Sequence, residues 1–170
     1  DVYKRQPSSL TTKEIDINLI KQSKIFLTQL EIPIEVTLYC LKAAKEFGLI
    51  NILNPAPACE LSSDFFKLVD YFTPNEIEAE FYTGVKINDE SDARVSAKKL
   101  IDMGIKKVII TLGEKGLFYS DGKEEIYLKA TADKAVDTTG AGDAFNGGFS
   151  FALLKGKKII AFAEEERFNR

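Results

Sequence analysis

The stretch DTTGAGDAFNGG, residues 137–148, holds the side chains and spacings best suited to chemistry. Gly140 and Gly142 leave bare backbone where a ligand would approach. A helix predicted over residues 144–155 points its free N–H groups and positive dipole end at the same place, which makes an anion hole. Asp143 lies inside that turn, where a carboxylate can accept a hydroxyl proton while neighbouring amides hold a phosphoryl group in transfer. A plainer alternative makes Asp143 a helix cap and the glycines a tight turn, and residues 140–143 taken alone favour it.

These residues need a scaffold. From residue 25 onward short apolar runs alternate with amphipathic segments, the pattern of βαβ units around a mostly parallel sheet. Residues 25–27 read as a strand. Residues 34–47 carry Val36, Leu38, Leu41 and Ala44 at helical spacing before Gly48 stops the helix. A second strand covers residues 49–53, after which Asn54-Pro55-Ala56-Pro57 forces a loop, because each proline restricts its own φ and the residue before it. That loop falls at a strand's carboxyl end, where open α/β sheets place ligands.

Residues 69–72 are expected as a third strand running into Thr73-Pro74-Asn75, followed by a short helix over 76–82 that closes near Gly84. A longer helix over 91–103 shows a stripe of Ala93, Ala97, Leu100 and Ile101. Val108-Ile109-Ile110 is the clearest strand, β-branched and suited to burial on both faces, and it leads into TLGEKG, residues 111–116. Residues 117–120 and 125–128 flank Asp121-Gly122, a hairpin signal that adds antiparallel strands at one edge.

Composition narrows the function. The chain of 170 residues is 45% hydrophobic and 29% charged, which is globular composition and one domain by length. Its 23 Lys and Arg against 26 Asp and Glu leave no basic excess for nucleic-acid phosphates. Histidine is absent, so Ser-His-Asp and Cys-His pairs, His bases and His-ligated zinc are all excluded. Cys40 and Cys59 form no CxxC and read as small buried residues, consistent with a reducing cytoplasm. Apolar runs are too short to span a bilayer, and neither a GxxxxGK[ST] loop nor an EF-hand pattern occurs, so membrane and nucleic acid are not expected partners.

Several strings, in order, resemble the ribokinase (PfkB-type) family of sugar kinases. DTTGAGDAFNGGF is similar to the family's C-terminal signature, ITLGEKG to its nucleotide loop and TPNEIEAE to its Asn-x-x-Glu element. QLEIPIEV and LNPAPA are similar to the branch that phosphorylates ribose. The resemblance implies a three-layer, doubly wound, mostly parallel α/β sheet and ATP-dependent phosphorylation of a sugar hydroxyl. D-ribose is the expected substrate, with fructose, a 2-keto-3-deoxy acid or a catalytically silent nucleotide-binding fragment as alternatives. It makes Asp143 the base, which also touches the sugar, and Gly140, Ala141, Gly142 and Asp143 the amides that stabilise transfer. Asn75 would contact nucleotide phosphate and Glu78 would order water around Mg²⁺, although a solvated charge beside Glu76 and Glu80 is the bland reading of Glu78. Thr111, Gly113, Glu114, Lys115 and Gly116 would form the ATP loop, Glu31 would contact the sugar, and Asp137 and Thr139 would hold an activating K⁺.

The likeness is incomplete. Family members carry an N-terminal half with the sugar-binding Gly-Gly loop and a β-lid that is also the usual dimer surface, so a homodimer could form only in a complete protein and is not supported for this chain. Residues 1–6 match nothing in the family, residues 1–10 read as a disordered or non-native leader, and 11–170 remain as an incomplete domain carrying the nucleotide-binding half. Glu164 stands where an adenine-side contact is expected. The expectation is therefore a fragment of a longer reading frame.

Overall fold

The computed structural model of the chain describes residues 9–130, 140–157 and 159. Asp137, Thr139 and Glu164 fall outside them. Among the described residues six strands form one sheet, ordered β1 (Ile25–Thr28), β2 (Ile50–Leu53), β3 (Tyr71–Phe72), β4 (Val108–Thr111), β5 (Leu117–Ser120) and β6 (Glu125–Leu128). The first four run parallel, and β5 and β6 add the antiparallel edge expected from Asp121-Gly122.

Helices fill each parallel crossover. After α1 (Ile17–Lys21), the chain places α2 (Ile34–Glu46) between β1 and β2, α3 (Ser63–Leu68) between β2 and β3, and α4 (Glu76–Thr83) with α5 (Glu90–Asp102) between β3 and β4. The last described helix, α6 (Ala141–Leu154), covers the other face. Successive strand residues point to opposite sides, so one pleat feeds two cores. Leu53, Phe72, Val108 and Ile110 pack with Leu41, Phe65, Ala97 and Leu100 from α2, α3 and α5, whereas Ile52, Tyr71 and Ile109 pack with Phe149 and Ala152 of α6. Phe72, Ile109 and Ile110 are completely buried. Each contributes about 1.5–3 kcal/mol of transfer free energy to this three-layer arrangement.

Three of these elements depart from the sequence expectation. The third strand is only Tyr71–Phe72, because Val69 is spent as the C-cap of α3, its N–H donating to Phe66. The six residues of α3 and the five of α1 are too short to show helical periodicity, and neither is expected from the sequence. Behind the sheet, the amide of buried Asn51 donates to the carbonyls of Leu41 (2.9 Å) and Leu68 (3.0 Å), tying β2 to α2 and α3.

Candidate functional site

The carboxyl ends of β1 to β4 and the start of α6 enclose a cleft of about 270 Å³ whose walls include Gln29, Asn54, Asn75, Glu78, Thr111 and Asp143. Asn54 and Ala56 come from the proline loop, as its place at the end of β2 predicts. A recess of about 400 Å³ at the opposite strand ends is larger, but its Asp70 is occupied by Lys45 (2.8 Å) and Lys106 (2.7 Å). That cluster braces α2 against the strands and is not where the predicted residues gather.

One expectation about α6 needs correction. The helix begins at Ala141, three residues before the predicted Ala144, so residues 140–143 are a cap and first helical turn rather than a separate loop. Gly140 causes this: its left-handed backbone, φ +74°, reverses the chain in one residue, and its carbonyl accepts the Ala144 N–H at 2.9 Å. The amides of Ala141, Gly142 and Asp143 thus lie in the turn whose N–H groups have no intrahelical acceptor, and Gly140 offers no side-chain cap. A Cβ built on Gly140 or Gly142 meets nothing within 4 Å, so the bare backbone borders open space.

Asp143 does not cap the helix. Its Oδ1 accepts a hydrogen bond from Nε2 of Gln29 at 2.8 Å, and the carboxylate stands exposed at the positive end of the helix dipole. The base of the same turn is fixed from below. Asn146, one turn on, donates to the Gly142 carbonyl at 2.9 Å and accepts from the Thr73 hydroxyl at 2.8 Å, with both side chains buried.

On the opposite wall Asn75 and Glu78 form a reciprocal capping box at the start of α4. Asn75 Oδ1 accepts from the Glu78 N–H at 2.9 Å, while the Glu78 carboxylate accepts from the Asn75 N–H (2.9 Å) and side-chain amide (3.0 Å). Glu78 is consequently half-buried rather than a solvated charge. Burial pushes its carboxyl above the ordinary range, with the Asn75 N–H pulling the other way. Thr111 reaches the cleft beside them, its N–H donating to the Pro74 carbonyl at 2.9 Å.

The loop after β4 behaves differently from residue to residue. Gly113, Glu114 and Lys115 form a 3-10 turn that joins two antiparallel strands. Gly113 borders open space and Lys115 extends to the Asn88 carbonyl at 2.9 Å, and none of Gly113, Glu114, Lys115 and Gly116 is among the residues lining the cleft. Gly116, φ +108°, is required by packing, since a Cβ there would overlap the Leu128 carbonyl oxygen. Glu31 is exposed in the turn after β1 and lies outside the cleft wall, two residues beyond Gln29.

Sequence reasoning misses Gln29, Thr73 and Asn146. Asn146 had a signal: at three and four residues from Asp143 and Gly142 it shares their helix face. The two ionisable residues on the described wall are both acids, Glu78 and Asp143. No cluster of three or more potential metal ligands occurs among the described residues. Among the described wall residues, the groups that can donate to an anion are backbone amides and neutral side chains.

The sequence pattern of the pfkB family carbohydrate kinases matches residues 9–164, and the chain belongs to that family. Ribokinase from Haemophilus influenzae is 45% identical over 89% of this chain and 48% of its own length. Deoxyribokinase from Salmonella typhi is 35% identical over 85% and 50%. The crystal structure of ribokinase from Thermotoga maritima superposes with a TM-score of 0.82 at 38% identity, covering 92% of this chain and 52% of the other. Arabidopsis thaliana ribokinase complexed with ribose and ATP gives 0.82 at 29% identity, covering 87% and 48%. The ribokinase-like α/β fold implied by the sequence is borne out, and the chain spans about half the length of the relatives it matches.

Proposed function

We propose that the chain carries the nucleotide-binding and proton-abstracting half of an ATP-dependent sugar kinase acting on D-ribose to give D-ribose 5-phosphate. The observation that carries this reading is Asp143 itself, a carboxylate on the first turn of α6 beside amides with no intrahelical acceptor, on the wall of an open cleft. The identity to proteins named ribokinase supports ribose.

In the proposed reaction the free oxygen of Asp143 takes the proton of the sugar hydroxyl as the hydroxyl oxygen bonds to the γ-phosphorus of ATP, the bond from the γ-phosphorus to the β,γ-bridging oxygen breaks, and ADP leaves with the electron pair. Amides of Ala141, Gly142 and Asp143 hold the transferring phosphoryl oxygens, where charge develops. Thr111 and the bare backbone of Gly113 lie along the triphosphate, and Asn75 donates to it. Glu78, its carboxylate half-buried at the cleft wall, suits a Mg²⁺ that keeps most of its waters and is bound chiefly by phosphate. When present, that ion neutralises charge on the β and γ phosphates. Asp137 and Thr139 are proposed for K⁺, Glu31 for the sugar. The setting proposed is cytoplasmic, and no described helix is long and apolar enough to cross a membrane.

A second reading has one specific support, the relative named deoxyribokinase. An ADP-release assay on the complete gene product tests both, run with D-ribose, 2-deoxy-D-ribose, D-fructose and 2-keto-3-deoxygluconate, with and without K⁺. The proposal expects D-ribose to have the highest kcat/KM and K⁺ to raise it. Sugar-independent ADP release, or none, sinks the kinase reading, and a higher kcat/KM for another sugar sinks ribose.

A further inference from the structure

We infer that Gln29 is a positioning residue for Asp143: its side-chain amide holds one carboxylate oxygen and leaves the other facing the cleft. The inference rests on the reading of Asp143 as the base. The bond joins residues 114 positions apart, from the carboxyl end of β1 to the first turn of α6, at 2.8 Å. An ionised carboxylate only accepts, so the amide nitrogen of Gln29 is the atom that can serve, and the contact is charge-assisted.

What makes Gln29 a fixed post is its backbone. The residue before it, Thr28, accepts the Asn54 N–H at 3.0 Å, and the residue after it, Leu30, donates to the Ala56 carbonyl at 2.9 Å. Leu30 is buried in the core. Gln29 therefore projects from a strand end stitched on both sides to the proline loop. Asp143 is exposed, and without a partner its carboxylate would sample several rotamers. The other acid of the cleft, Glu78, is engaged by Asn75 and cannot orient it.

A general base must sit within hydrogen-bond reach of the proton it takes, and small misplacements are costly in rate. Gln29 has no titratable proton in the working range, so it acts through Asp143. Because it touches the Asp143 carboxylate and not the backbone amides of the turn, its loss should lower kcat and spare the KM for ATP.

The test is steady-state kinetics of Gln29→Leu, Gln29→Glu and Asp143→Asn in the complete gene product, from about pH 4 to pH 9, a range that spans the ordinary glutamate value of about 4.3. Gln29→Leu is expected to lower kcat about tenfold with the KM for ATP within about twofold. Gln29→Glu adds a diagnostic. The introduced carboxyl can replace the lost donor only while it keeps a proton, and its contact with Asp143 becomes a like-charge repulsion once it ionises. The activity of that variant should therefore fall with rising pH along a limb that wild type and Gln29→Leu lack. Wild-type kcat in Gln29→Leu, or a wild-type pH profile in Gln29→Glu, with Asp143→Asn inactive, overturns the positioning role and leaves the base intact. Full activity in Asp143→Asn overturns both.

Discussion

The hydroxyl of Thr73, just past β3, donates to Oδ1 of Asn146 in α6 at 2.8 Å, a buried bond that seats the N-terminal half of α6 on the sheet. Asn146 then passes the constraint to Gly142 through its amide. Thr73→Val keeps the shape but strands the Asn146 oxygen, at a cost of about 1–3 kcal/mol. Urea denaturation should show that loss, and the double variant with Asn146→Leu should lose less than the two single losses added together. Strict additivity would mean that the two side chains do not depend on each other.

Two glycines should respond in opposite ways to alanine. At Gly116 the positive φ and the Leu128 carbonyl leave no room for a methyl group, so Gly116→Ala should destabilise by about 3 kcal/mol. Gly142 sits in a helix with open space beside it, and Gly142→Ala should be neutral or stabilise by up to about 1 kcal/mol. Yet its methyl group would intrude where phosphate is proposed to bind, so ATP affinity should fall about tenfold by calorimetry. Unchanged affinity would remove the anion from that turn.

Acid and neutral stability should be set by two carboxylates of opposite behaviour. At Asp70 burial works against ionisation, but the Asn51 N–H, Lys106 and Lys45 outweigh it and hold the carboxyl below its usual range. Its stabilisation is present above about pH 3.9, the unfolded value, and is lost as pH falls through the lower folded one. Asp70→Asn should therefore lower Tm at neutral pH, with the gap narrowing in acid.

Glu78 runs the other way, since burial raises its carboxyl. The native state gains most below about pH 4.3, the unfolded value, and that advantage is lost as pH rises through the folded one. Glu78→Gln, which keeps an acceptor for the capping box, should melt higher than wild type at pH 7 and match it in acid. A pH-independent difference in melting would contradict this account.

Much of the scaffold was legible because local and global signals agree in it. Val108–Thr111 is β-branched and buried on both faces, and α2 and α5 have long apolar stripes. The short α1 and α3 lacked room for periodicity, and the start of α6 was misplaced because its capping residue is a left-handed Gly140, whose φ no side-chain pattern reveals. In the site, the motif residues Asn75, Glu78, Thr111 and Asp143 do converge on one cleft. Gln29, Thr73 and Asn146 stayed hidden because their roles arise from contacts across the sheet, between residues 73 and 114 positions apart.

The central claim is that Asp143 takes the proton. Asp143→Asn preserves shape and the helix start but replaces the acceptor, and the decisive measurement is its sugar-dependent ADP release beside its ATP affinity. The account predicts turnover lower by at least about 10³-fold with ATP affinity within a few-fold of wild type. Turnover close to wild type would contradict it.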